Sequence, residues 1–276
     1  GTQRLLAIVV DFTPSASLGT TETQWDQYFF TGGGGAEVPT SVKNYWDTVS
    51  YGTITVQPAA ESYGTANNGV VFVTLGYAHP NTGSTTDDRN RQITRDALVA
   101  ADSYVNFANF DSNTDGYLNT NELHIYIVVR GYEYSFGGSS SCAGNAVWAH
   151  SWALGWGAAL APTLDGVIVG HYRGAPSSGA YKGGYLQEGE WHCATGHSPG
   201  HIATIGVACH ELGHDMGTGA PDLYDTNSGV GTASAGIGRW GLQGGGSWNG
   251  SAISGHSGTH PAFPDPWCRW FFAFLT

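Results

Sequence analysis

Apolar residues recur along the chain in continuous or alternating runs and at helical spacing, and the two patterns together predict an α+β fold. The strand-like runs are residues 4–12, 53–57, 70–75, 123–130, 147–152 and 166–172. Helical spacing covers residues 25–30, 41–49, 87–104, 202–216 and 264–274. Residues 173–200 and 226–262 are rich in Gly and lack a periodic pattern, so both are predicted to be irregular.

The order of these elements predicts a mixed twisted sheet with helices, then one apolar helix, then an irregular segment. We expect a single domain over residues 1–276, with an N-terminal lobe over about residues 1–217 and a Gly-rich C-terminal lobe over about 218–276. The apolar helix at 202–216 would lie in the cleft between the lobes.

Composition narrows the class of protein. Hydrophobic residues make up 41% of the chain and aromatic residues 13%, which is typical of a globular protein. The net charge of −12 and the presence of only two lysines, Lys43 and Lys182, argue against a nucleic-acid-binding protein. No apolar run has the length of a membrane span. The chain begins with Gly1 rather than Met, so we expect a processed end, and a pro-segment or further domains outside this sequence.

The most informative motif is His210-Glu211-Leu212-Gly213-His214, within the apolar helix. Residues four apart lie on one helix face, so both imidazoles can bind one ion. Glu211 lies one step round the helix, where its carboxylate would contact a water molecule on the metal. This HExxH arrangement is typical of zinc hydrolases. The sequence therefore predicts zinc ligands at His210 and His214 and a general base at Glu211.

A second motif, residues 111–122, matches the twelve-residue EF-hand calcium loop at every ligand position. The predicted Ca²⁺ ligands are Asp111, Asn113, Asp115, the Tyr117 carbonyl, Asn119 and Glu122. Because a strand pattern rather than a second helix follows the loop, structural calcium is favoured over a calcium sensor. The alternative is an Asp- and Asn-rich turn that binds no ion.

The four cysteines, Cys142, Cys193, Cys209 and Cys268, include no CxxC pair, which argues against a cysteine zinc site. Two disulfides in a secreted protein are favoured. We predict Cys142–Cys193, between two Gly-rich loops, and Cys209–Cys268, between two helices that could pack together. Buried free thiols are the alternative.

These segments together resemble the catalytic domain of the immune-inhibitor-A family of secreted zinc metalloproteases, over nearly the whole sequence. The resemblance is carried by LLAIVVDF, SVKNYWDTVSYGTITV, FDSNTDGYLN, LHIYIVVRGYE, VWAHSW, GVACHELGHDMG, PDLYDT, GRWGLQGGGSWNG and PDPWCRWFFAFLT. It implies a zincin-like fold, secretion, a removed pro-segment, structural calcium and endopeptidase activity on protein or peptide substrates.

The sequence departs from the family pattern at two positions. The pattern HExxHxxGxxD implies an Asp as the third zinc ligand, but Ala220 stands at that position and the PDLYD block follows two residues later. We predict that the insertion loops out and returns Asp222 to the metal. The alternative ligands are Asp225, Glu190 and His201. The family's Met below the zinc is Gln243 here, whose buried amide would need hydrogen bonds.

An intact site predicts that Glu211 takes a proton from a zinc-activated water and passes it to the leaving amine. A further donor must stabilise the oxyanion, and the candidates are Tyr224, His256 and His260. Tyr224 is the one assigned a catalytic role. His150 in VWAHSW is either a cleft residue on an edge strand or a core histidine.

The sequence thus favours a secreted zinc endopeptidase. The alternative is a protease-like domain without activity, acting as a calcium-stabilised extracellular structural or binding module. The insertion before Asp222 and the presence of Gln243 favour that alternative, whereas the intact HExxH motif favours the enzyme.

Overall fold

A computed structural model of the chain describes residues 1–15, 19–136, 144–155, 160–171, 184–194, 197–225 and 234–272. The strands are β1 (Thr2–Phe12), β2 (Thr55–Pro58), β3 (Val70–Leu75), β4 (His124–Glu133), β5 (Ala146–Val147), β6 (His150–Trp152), β7 (Thr163–Leu164), β8 (Val167–Ile168), β9 (Tyr185–Ala194) and β10 (His197–Ile202). The α-helices are α1 (Glu22–Asp26), α2 (Val42–Val49), α3 (Asp88–Ala101), α4 (Ile205–Asp215), α5 (Ser251–Ser254) and α6 (Pro266–Phe271). A π-helical turn (Gln27–Thr31) continues α1, and 3₁₀ turns cover Phe107–Phe110, Gly238–Trp240 and Gly245–Trp248.

One mixed sheet organises the fold, in the strand order β10-β9-β4-β1-β2, with β3 also pairing β1, β5 pairing β4 and β6 pairing β9. β1 is parallel to β2, β3 and β4, and β9 is parallel to β4. β6 and β10 run antiparallel to β9. The predicted α+β fold with a mixed sheet is confirmed, and it is the zincin-like architecture.

Both faces of the sheet are covered. Leu5 and Val9 of β1 lie in the same core cluster as residues of α2 and α4. Leu6 and Ile8 lie in the opposite cluster, with residues of α3. Because alternate residues of β1 are buried on both sides, its sequence is a continuous apolar run rather than an alternating one.

Helix α4 is the apolar helix predicted at residues 202–216. Ten of its eleven residues are buried, as expected for a helix that is apolar on all sides. It begins later than predicted because Ile202 pairs with Trp191 in the sheet and Thr204 forms the N-cap. Gly206 lets the helix approach the next segment closely, since a Cβ there would lie 1.9 Å from the Ser247 carbonyl oxygen.

The prediction of an irregular stretch over residues 173–200 is wrong for its second half, because β9 and β10 occupy it. Residues 172–183 lie outside the described residues. β9 is an interior strand whose polar side chains Gln187, Glu188, Glu190 and His192 are each 0% exposed. Burial of polar groups removes the hydrophobic pattern on which strand prediction depends.

Two further strand predictions change in detail. The run at 147–152 divides into β5 and β6, which pair with different strands, β4 and β9. The run at 166–172 contributes only β8, paired with β7 in a two-residue hairpin. The last helix is α6, shorter than the predicted 264–274, and residues 273–276 lie outside the described residues.

The predicted Cys209–Cys268 disulfide is wrong, since both residues are free, buried thiols. They lie in one core cluster, but the Cys268 thiol is hydrogen-bonded to the Asp265 carboxylate. Cys142 lies outside the described residues, so its bond to Cys193 remains a prediction. Within the described residues, no helix is long and apolar enough to cross a membrane.

Candidate metal centre and adjoining cleft

His210 and His214 project from the same face of α4, as the motif predicts. Their ring centroids lie 5.0 Å apart and their planes are nearly perpendicular, at 87°. Both side chains are largely buried, 9% and 13% exposed. The helical period alone therefore brings two imidazoles to one point.

Backbone carbonyls fix the orientation of both rings. Nδ1 of His210 lies 3.0 Å from the Leu242 carbonyl oxygen, and Nδ1 of His214 lies 2.7 Å from the Ala220 carbonyl oxygen. A neutral imidazole that donates from Nδ1 presents the lone pair of Nε2. Both Nε2 atoms are therefore prepared to bind a metal, an arrangement typical of histidine ligands.

Asp222 joins the two histidines despite the insertion before it. Its Oδ1 lies 3.0 Å from Nε2 of His210 and 3.5 Å from Nε2 of His214. The segment between is tied to the protein core by backbone hydrogen bonds, Ala220 N to Gly213 O at 3.1 Å and Gly219 N to Met216 O at 2.8 Å. The inserted residues thus loop out and return, as the sequence predicted.

The three side chains fit a zinc ion. Each offers one ligand atom, and these atoms all lie within 4.8 Å of one another. Ligands about 2.0–2.1 Å from a tetrahedral zinc would be about 3.3 Å apart, close to the observed 3.0 and 3.5 Å. No other group of three His, Cys or carboxylate residues in the described ranges converges in this way.

The alternative third ligands lie elsewhere. Glu190 accepts hydrogen bonds from the Thr20 backbone and hydroxyl and lies 3.9 Å from the Arg130 guanidinium. His201 contacts His256 ring to ring, at 4.5 Å between centroids. Asp225 forms a backbone bridge with Ser234. Among the described residues, none of the three belongs to the group around His210.

Charge and burial oppose each other at the centre. Burial alone would lower the pKa of His210, but the hydrogen bond to Asp222 and the nearby Glu211 raise it to about 9. Burial and the neighbouring His210 charge lower the pKa of His214 to about 4. Burial would raise the pKa of Asp222, yet its contacts with the two histidines lower it. The negative charge on Asp222 is thus stabilised by positive charge beside it, as it would be by a cation.

Glu211 lies next to the metal triad and opens onto two cavities. Its Oε2 is 3.9 Å from Nε2 of His214. Burial raises the pKa of its carboxyl group to about 8. One cavity, of about 550 Å³, and another, of about 360 Å³, are both lined by His210, Glu211 and Tyr224. A bound peptide would reach the centre from either side.

Of the three oxyanion candidates, Tyr224 lies at the centre. Its ring stacks on His210 at 6.2 Å and 21°, its hydroxyl is hydrogen-bonded to Asp222, and it is 39% exposed. His256 instead faces Glu37, 3.6 Å away, and His260 contacts the Thr259 hydroxyl at 3.0 Å.

His150 lines the smaller cavity, but both of its ring nitrogens have partners, the Trp148 carbonyl at 2.7 Å and the Tyr185 hydroxyl at 3.3 Å. Burial lowers its pKa to about 4, which keeps the ring neutral.

Gln243 packs beneath α4, fully buried. Its Nε2 donates to the His210 carbonyl oxygen at 3.2 Å, so part of the amide is satisfied. Gly213 makes room for it, since a Cβ there would lie 2.6 Å from the Gln243 Oε1. The amide therefore supports the backbone of the metal helix, where the family pattern has an apolar side chain.

The predicted calcium loop folds on its own side chains. Asp111 accepts the Gly116 amide at 3.0 Å, Asn113 accepts the Asp115 amide at 2.9 Å, and Asp115 accepts the Tyr117 amide at 2.9 Å.

Glu122, at the last position of the loop, accepts from the Asn113 amide at 3.2 Å and from the Asn119 side chain at 2.6 Å. Residues 111–122 thus form a compact turn. Calcium binding by this turn remains a prediction.

Sequence reasoning missed most of the cleft wall. The larger cavity is also lined by Tyr134, Trp148, Val207, Arg239, Ser247 and Trp248. The carbonyls of Leu242 and Ala220 were also missed, because any residue can supply a carbonyl. The Gly-rich segment GRWGLQGGGSW was the available signal, since loops that approach a site closely need small residues.

Comparison with known proteins agrees with this geometry. The family model described as immune inhibitor A peptidase M6, catalytic domain, matches residues 21–270. The pre-pro-metalloprotease PrtV of Vibrio cholerae serotype O1 is 26% identical over 246 residues, covering 84% of this chain and 23% of that protein. Immune inhibitor A of Bacillus thuringiensis subsp. alesti is 29% identical over 193 residues, covering 66% of this chain and 24% of that protein.

The chain spans about a quarter of the length of these relatives. The family match covers nearly all of it, including the three converging side chains. The chain belongs to the immune inhibitor A family of metallopeptidases, and it corresponds to the catalytic domain.

Proposed function

We propose that this chain is a zinc-dependent endopeptidase domain. The observation that carries the proposal is the convergence of His210, His214 and Asp222 beside Glu211, at the point where two cavities meet. Three protein ligands with an open side are typical of a catalytic rather than a structural zinc site.

Zinc held by these side chains would activate a water molecule and polarise the scissile carbonyl. The Glu211 carboxylate takes the proton from the attacking water and delivers it to the nitrogen of the leaving amine. The Leu242 and Ala220 carbonyls keep the imidazoles oriented throughout. Asp222 contributes the negative charge that balances the dication.

Tyr224 is the residue best placed to stabilise the oxyanion. Its hydroxyl already lies at Asp222, and its half-exposed ring borders both cavities. A short movement of the ring would let the hydroxyl donate to a substrate oxygen instead. We therefore assign Tyr224 as the electrophilic partner of Glu211.

Two features of the wider protein are proposed with the activity. The Vibrio relative is named a pre-pro-metalloprotease, which supports secretion of this protein and removal of a pro-segment. The loop at residues 111–122 is proposed to bind a structural Ca²⁺, supported by its match to the EF-hand ligand pattern and its compact fold.

The deciding experiment compares the parent protein with Glu211→Gln. Both should bind one zinc per chain, and only the parent should cleave a denatured protein, with activity lost on chelation and restored by Zn²⁺. A parent protein that binds zinc but cleaves nothing would instead support the non-catalytic extracellular module. Equal cleavage by parent and variant would refute the role of Glu211.

A further inference from the structure

The larger cavity beside Glu211 combines aromatic walls with one cationic side chain. Tyr134 and Trp148 form one side, with ring centroids 5.5 Å apart, and Trp248 contributes another. Arg239 is the cation in this lining, and Glu211 is the acidic residue in it. The chain as a whole carries a net charge of −12, so a cation in the cleft is set against the general charge of the protein.

The guanidinium of Arg239 has no partner within the described residues. Five other Lys and Arg side chains in these ranges pair with carboxylates: Lys43, Arg89, Arg91, Arg95 and Arg130. Arg4 and Arg269 donate to backbone carbonyls. Arg239 makes neither kind of contact, so its five donors are available to a ligand.

The backbone of Arg239 is nevertheless fixed. Its carbonyl accepts a hydrogen bond from the Asn249 side chain at 3.0 Å. The preceding Gly238 has a φ of 58° and donates to the Ala235 carbonyl at 2.8 Å, which holds the turn Gly238–Trp240. The side chain is therefore mobile on a rigid base, facing a cavity that a peptide can enter.

We propose that Arg239 is a specificity-determining residue that binds a carboxylate of the substrate in this cavity; the proposal rests on the proposed peptidase function. A planar guanidinium recognises a carboxylate through two parallel hydrogen bonds. The carboxylate can belong to an acidic side chain near the scissile bond or to the C-terminus of a short peptide. The aromatic walls exclude water and strengthen the charged contact.

Matched fluorogenic peptides test the proposal. Glu is compared with Gln at each position on both sides of the scissile bond, and peptides ending in a free carboxylate are compared with their amides. The parent protein should prefer one carboxylate peptide by about tenfold in kcat/KM. Arg239→Gln should abolish that preference while cleaving the neutral peptide at the parent rate, and Arg239→Lys should retain part of it.

Arg269→Gln is the matched control, because Arg269 lies over the rings of Tyr51 and Phe263 and does not line the cavity. It should keep the full preference. Equal cleavage of charged and neutral peptides by the parent, or an unchanged preference in Arg239→Gln, would overturn the proposal.

Binding separates this proposal from the proposed function. Fluorescence anisotropy of the same peptides is measured on the zinc-loaded Glu211→Gln variant, with and without Arg239→Gln. A carboxylate preference in binding that disappears with Arg239 supports the proposal even if the parent cleaves no peptide. Equal binding of charged and neutral peptides refutes it, whether or not the parent is a peptidase.

Discussion

The Ala220 carbonyl oxygen accepts the hydrogen bond from Nδ1 of His214 at 2.7 Å. Ala220 stands where the family pattern would place the third zinc ligand, and here it orients the second ligand instead. Asp222, two residues later, supplies the carboxylate. The insertion has therefore changed which residue supports the metal site without removing a ligand from it.

Gly219→Ala tests this support. Gly219 has a φ of 77°, where a side chain costs about 1 kcal/mol and should displace the adjacent Ala220 carbonyl. Loss of a hydrogen bond that orients a ligand should weaken zinc binding by about 10–100-fold, measured by competition with a chromophoric chelator. Gly255→Ala, at a φ of 84° in an open loop, is the control and should keep parent affinity. Equal affinities in both variants would show that the carbonyl is dispensable.

Asp222→Ala should lower zinc affinity by more than about 100-fold, because it leaves a dication with two neutral ligands. The Asp222 side chain is 43% exposed, so the melting temperature of the metal-free protein should change little. Asp225→Ala, three residues on, serves as the control. Zinc titration by calorimetry checks both, and a parent-like affinity in Asp222→Ala would assign the third ligand to another group.

Asp115→Ala tests the calcium loop. If Ca²⁺ binds there, chelation should lower the melting temperature of the parent, because the carboxylates of Asp111, Asp115 and Glu122 then repel one another. The variant should melt at the same temperature with and without calcium. Asn121→Ala, at a position in the same loop that supplies no predicted ligand, should behave as the parent does. A parent protein indifferent to calcium would show a turn that binds no ion.

His79 should make the protein less stable in acid. Burial lowers its pKa to about 4, below the ordinary value of 6.5. Between these pH values the unfolded chain binds the extra proton, so the free energy of unfolding falls as the pH falls, by up to about 3 kcal/mol over the window. Urea unfolding from pH 7 to pH 4 measures this slope.

His79→Asn should reduce that slope by up to about 1.4 kcal/mol per pH unit. Asn is chosen because its side-chain oxygen can replace Nδ1, which accepts the Asn81 amide at 2.9 Å. Parallel pH profiles of parent and variant would place the acid sensitivity in other groups.

The metal helix was predictable because its signal is local. His210 and His214 are four residues apart, and helical geometry converts that spacing directly into a shared face. The position of Asp222 was only an expectation, since it depends on hydrogen bonds made by a loop whose backbone partners leave no mark in the sequence.

β9 was not predictable for a different reason. Its interior position depends on pairing with β4, β6 and β10, which are distant in the sequence. Strand prediction expects apolar side chains in such a place, but β9 carries Gln187, Glu188 and Glu190. Arg239 was missed similarly, because a lone cation in a Gly-rich segment gains meaning only from the cavity around it.

The polar interior of β9 also links folding to proton uptake. Burial, and then the neighbouring Glu133 carboxylate, raise the pKa of Glu188 well above its ordinary range. The unfolded chain is ionised at that residue at neutral pH, so folding must capture a proton from solvent, and refolding should become less favourable in alkali. His79 sets the opposite limit in acid. The two residues, one on each side of neutrality, confine the folded enzyme to a band of environments narrower than its catalytic chemistry alone would require.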